Sequence, residues 1–88
     1  MNEDELRKTL KEIGDLLIEK NKNYGERNIM VLGERGVLVR ASDKVARLTQ
    51  LVWNKEQGTA DETVDDTWRD LAGYAIIGLM VHRGVFEK

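Results

Sequence analysis

"DETVDDTWRDLAGYAIIGLMV", residues 61–81, opens on carboxylates and closes almost wholly apolar. Glu62, Asp66 and Asp70 fall four residues apart, so at about 100° per residue they share one line of a helix. Val64, Trp68, Leu71, Ala75 and His82 line the roughly opposite side, which places the core there and the acids off it. The acidic line runs on through Gly73, Ile77 and Met80, so its C-terminal half has lost its polarity. A helix apolar all round is enclosed by other helices. The expectation is a helix covered on both sides, with a second subunit supplying part of the cover. Asp70 then sits at a border between water and interior, where an isolated carboxylate must be paired, protonated or metal-bound. Arg40, Lys44 and Arg47 are the candidate cations, and Asp66 also precedes Arg69 by three residues. Like charges at i,i+4 repel, so three acids in register call for a cation, and an all-carboxylate set suits Mg²⁺ or Mn²⁺ rather than zinc.

Upstream, Leu6, Leu10, Ile13 and Leu17 carry the 4-3-4 spacing of an amphipathic helix from Asn2 to about Asn23. Asn2 is placed to cap it, and Glu3, Asp4 and Glu5 complement its dipole. Glu12 and Asp15 read as a solvated face, while Glu19 leads towards a Tyr-Gly step. From Tyr24 to Arg40, Gly25, Gly33 and Gly36 punctuate two short apolar runs, which predicts a loop or a brief extended segment. Ser42 is the expected N-cap of a second helix reaching about Asn54, with Val45, Leu48 and Val52 on one face. Gly58 turns the chain, Thr59 or Asp61 caps the third helix, and that helix stops near Arg83 at Gly84, a good C′ residue. The fold class is therefore all-α: one domain over 1–88, a three-helix chain forming a bundle that oligomerisation completes.

With 88 residues the chain buries a thin core, and with Cys 0 it has no disulfide to compensate. A formal charge of −2 gives no electrostatic footprint for general nucleic-acid binding. The charged N-terminus and the short apolar stretch of residues 71–81 predict no membrane span and a soluble, cytoplasmic protein. A single histidine and no cysteine leave covalent catalysis without support, and the Gly25–Gly36 stretch lacks the Gly-x-x-x-x-Gly-Lys-Ser/Thr phosphate loop.

Three segments, "KNKNYG" (Lys20–Gly25), "RASDKVARL" (Arg40–Leu48) and "DTWRDLAGYA" (Asp66–Ala75), together resemble the nucleotide modification associated domain, type one, a helical family frequent in phage and prophage proteins. That family is similar in outline to the MazG-like all-α nucleoside triphosphate pyrophosphatases, which hold Mg²⁺ with acids on facing helices and split the α–β phosphate bond. The resemblance implies a Mg²⁺-dependent nucleotide-handling protein, with Glu62, Asp66 and Asp70 matching the later half of the acidic pattern. The earlier Glu-x-x-Glu pair has no copy here, since Asp43 alone is acidic in the second helix.

On this basis Asp43, Glu62, Asp66 and Asp70 are the candidate metal ligands, and Asp66 and Asp70 the candidate catalytic acids, orienting water at a phosphoanhydride. Lys20, Arg40, Lys44 and Arg47 are candidate phosphate contacts, and Tyr24 or Trp53 a platform for the base. Arg47 is equally placed to pair with Asp43. Trp53 otherwise fills a subunit interface, and His82 suits capping or packing. Three readings follow: a pyrophosphatase-like hydrolase, a non-catalytic phage protein that sequesters a nucleotide signal, and a purely structural homo-oligomer. The last predicts a salt-bridged Asp70 with no ligand-sized pocket beside it.

Overall fold

The computed structural model describes residues 1–24, 27–56 and 63–87. Among them the chain forms α1 (Glu3–Tyr24), α2 (Arg27–Leu48) and α3 (Val64–His82), with a π-helical turn, Thr49–Trp53, continuing α2. No strand occurs among the described residues, and the expected all-α bundle is the fold. α1 starts as its sequence predicts, with the Glu5 N–H donating to Asn2 Oδ1 at 3.1 Å. Ile13 is buried, but Leu6 and Leu10 remain open to solvent, so α1 is anchored through its middle rather than its first turns.

α2 departs from expectation. The stretch predicted as a loop is helical from Arg27, and Ser42, predicted as an N-cap, lies in mid-helix. The break that the glycines mark is real at Gly33, where two helical segments meet across a kink. Gly33 takes φ 64° and ψ −156°, a conformation that glycine alone adopts without strain. Beyond the kink, Val37, Ala41, Lys44, Leu48 and Leu51 follow a 4-3-4-3 spacing, and Val37, Leu48 and Leu51 are buried. Of the face predicted from Val45, Leu48 and Val52, only Leu48 points inward; Val45 and Val52 are exposed. An earlier helix start brings Val37 into play and shifts the inner line by part of a turn. The Asn54 N–H then reaches back to Thr49 O at 2.9 Å, and Lys55, at φ 56°, breaks the helix.

α3 inverts the sequence reading. Thr67 is fully buried and Gly73 is buried, while Asp66, Asp70, Ile77 and Met80 on their side are half-buried. Of the expected core line, Val64, Trp68, Ala75 and His82 are exposed and Leu71 is half-buried. The acidic line is the inward one. Small residues decide this: a Cβ on Gly73 would sit 3.0 Å from Leu17 Cδ2 of α1, and one on Gly78 would sit 3.4 Å from Val37 Cγ1 of α2. Helices approach closely where side chains are absent, and the bulk of Trp68 is turned outward. α3 ends as predicted, with Gly84 at φ 69° just past the Arg83 cap. Its N-cap is Thr63; Gly58, Thr59 and Asp61 lie outside the described residues.

No described helix is long and apolar enough to cross a membrane.

Candidate functional site

Asp70 is where the three helices meet electrostatically. Lys20 Nζ of α1 lies 3.4 Å from Asp70 Oδ1, and Lys44 Nζ of α2 lies 3.3 Å from Oδ2. Each carboxylate oxygen thus has its own ammonium from a different helix. Asp70 and Lys44 are about three-quarters shielded, whereas the Lys20 side chain is half exposed. This answers how α3 turns an acid inward: the inner line of α2 includes Lys44, and the end of α1 supplies Lys20. The group is open towards solvent on the Lys20 side.

One turn earlier, Arg69 gathers a second cluster. Its Nε donates to Glu12 Oε1 of α1 at 2.8 Å and its Nη1 to Asp66 Oδ1 at 3.0 Å, and its Nη2 contacts Asp65. Partial desolvation works against this charge, but Asp65 and Glu12 outweigh it and hold the guanidinium above the usual arginine value. Glu12, read as solvated in the sequence, is therefore a cross-helix partner. Asp15 does remain on the surface, paired with Lys11 at 2.6 Å. No local pattern marks Glu12, because its partner lies 57 residues away.

Asp66 belongs to the start of α3. The Asp66 N–H donates to Thr63 Oγ1 at 3.0 Å, and the Thr63 hydroxyl and backbone N–H in turn hold the Asp66 carboxyl below the usual aspartate range, with Arg69 adding to the effect. This is a capping box with aspartate in place of glutamate. Thr63→Ala should cost about 1 kcal/mol in urea unfolding. Because the folded-state value is depressed, the contribution of Asp66 is present above the ordinary aspartate pKa near 4 and is lost as pH falls through the lower folded value. Asp66→Asn should flatten the acid limb of a stability–pH curve measured from pH 5 to 2.

The remaining candidates are dispersed. Asp43 is exposed on α2 and Arg40 half-buried. Arg47 Nη1 donates to Gln50 Oε1 at 3.2 Å. Tyr24 closes α1, Trp53 is 83% exposed, and Glu62 lies outside the described residues. His82 Nδ1 lies 3.0 Å from Glu34 Oε1, tying the end of α3 to α2. A cavity of about 350 Å³ lies between α1 and α3, lined by Thr9, Glu12 and Ile13 on one side and Asp65, Trp68 and Ala72 on the other. Arg69 also lines it, but neither Asp70 nor any other candidate ligand residue does, and a salt-bridged Asp70 away from this cavity is what the purely structural reading expects.

Among the described residues no three His, Asp or Glu side chains come together to hold a metal ion. Asp66 is engaged in capping and Asp70 with two ammonium groups, so the described carboxylates as arranged do not fit a Mg²⁺ cage. Comparison with protein-family models, characterised proteins and solved structures finds no match to this chain.

Proposed function

We propose that the chain is a helical nucleotide-binding protein that holds phosphate with Lys20 and Lys44 and acts as an assembly of more than one copy. One observation carries the reading. The three segments that resemble the nucleotide-handling family, far apart in sequence, each send one residue to a single point: Lys20, Lys44 and Asp70. A phosphate dianion arriving there exchanges one carboxylate for a stronger acceptor of both ammonium groups. Arg40 and Arg47, one turn either side of Lys44, extend the cationic strip along α2. Tyr24, four residues after Lys20, is assigned the base.

Binding without hydrolysis is the better-supported form, since Asp66 and Asp70 already serve as cap and ion-pair acceptor. In this reading Mg²⁺ arrives with the nucleotide as a counter-ion of its phosphates.

The test is a thermal-shift series with ATP, ADP and a cyclic dinucleotide, each with and without Mg²⁺, followed by chromatography of the recovered ligand. A phosphate-bearing nucleotide at a hundred times its Kd should stabilise the fold by about 2.7 kcal/mol and return intact. Lys44→Ala should weaken that binding by roughly tenfold or more, the worth of one charged hydrogen bond. Recovery of cleaved nucleotide would establish a hydrolase instead, and no stabilisation by any of them would remove the nucleotide reading.

A further inference from the structure

We infer that Glu12 and Arg69 are the positioning pair of the phosphate site: their ion pair across α1 and α3 sets where Lys20 stands beside Asp70. The inference rests on the reading that Lys20 and Lys44 hold phosphate, and it adds to that site two residues outside its cations. Arg69 is fixed on its own helix before it reaches α1. Asp65 and Asp66, four and three residues earlier, engage Nη2 and Nη1, and the side chain is three-quarters shielded. A guanidinium is a planar, rigid fork, so with those two nitrogens held the direction of the Nε–H is set. It donates to Glu12 Oε1 of α1 at 2.8 Å.

The apolar hold on α1 is thin. Ile13 is its one buried side chain among the described residues, Leu16 and Leu17 are half-buried, and Leu6, Leu10 and Ile18 are exposed. The cavity of about 350 Å³ separates the side of α1 that carries Thr9 from Trp68 and Ala72 of α3. Close approach comes at Leu17, whose Cδ2 would stand 3.0 Å from a Cβ on Gly73. Glu12 lies on the cavity side of this contact and Lys20 beyond it, about 12 Å further along the helix. Their partners, Arg69 and Asp70, are neighbours in α3. Two ties at separate points fix the angle of a stiff helix, whereas one tie leaves it free to turn about Ile13 and Leu17.

Lys20 is the ammonium that such a turn moves. Its side chain is half exposed, against a quarter for Lys44, and its Nζ reaches Asp70 Oδ1 at 3.4 Å from the last turns of α1. Lys44 comes from the inner line of α2, so its place does not depend on the angle of α1. Breaking the Glu12 pair therefore acts on phosphate binding through Lys20 alone. General destabilisation has no such selectivity.

The experiment is isothermal titration of ATP, without Mg²⁺, into the wild-type chain, Glu12→Gln, Lys20→Ala and the double variant, each at a temperature where circular dichroism shows full helix content. Lys20→Ala should raise Kd roughly tenfold, the worth of one charged hydrogen bond. Glu12→Gln should raise it about threefold, as expected for residues coupled in one network, and should change nothing further once Lys20 is gone. An unchanged Kd for Glu12→Gln, or the same rise with and without Lys20, would overturn the positioning pair alone. ATP that binds no chain, or binds Lys20→Ala as it binds the wild type, would overturn the phosphate reading beneath it. Should Glu12→Gln lose helix content, Glu12→Asp takes its place. Its carboxylate falls one methylene short of Arg69, so α1 must shift to meet it; the same Lys20-dependent rise is expected, and a wild-type Kd would overturn the pair.

Discussion

Leu48→Ala is expected to lower unfolding stability by about 2–5 kcal/mol, the range for truncating a buried leucine. Leu48 is 6% exposed and shares the interior with Ile13, Val37 and Leu51. A domain of this size has in the order of 5–15 kcal/mol in all, so the loss takes up much of the margin. Val45→Ala, three residues earlier on the outer face, should cost far less in the isolated chain, because Val45 is half exposed. Urea unfolding of the two variants side by side measures the difference. Equal losses would mean that α2 is rotated from the orientation described.

The second large effect is at the kink of α2. A Cβ on Gly36 would stand 2.1 Å from Leu32 Cβ, an atom fixed to the backbone that moves only if the helix moves. Gly36→Ala is therefore expected to destabilise by about 1–3 kcal/mol, as overpacking does. In an ordinary exposed helix the same change would stabilise by about 1 kcal/mol. The sign of the change in melting temperature is the readout. A gain would show that residues 27–48 form a straight helix.

The helical class, the start of α1 and the end of α3 were legible because each has a local signal: spacing for the class, Asn2 for the cap, Gly84 for the stop. The start of α2 was not, since Gly33 and Gly36 punctuate a kinked helix and a loop in the same way. The inward side of α3 was misread for a related reason. Periodicity weighs Trp68 as core and Asp70 as surface, but close approach at Gly73 and Gly78 turns α3 the other way, and Lys20 and Lys44 offset the cost of the half-buried carboxylate. Lys44 was named as a candidate partner of Asp70 from its place in the chain; Lys20 and Glu12 act across 50 and 57 residues, a separation no local pattern spans.

The central claim is that the cations at Asp70 are what a nucleotide binds. Its most direct test is the Kd of ATP, without Mg²⁺, for the wild type and Asp70→Asn by isothermal titration. If Lys20 and Lys44 hold phosphate, the variant should bind ATP more tightly, because a competing negative charge has left and both ammonium groups are released. Unchanged or weaker binding by a folded variant would contradict the account and return Asp70 to a ligand or a purely structural role.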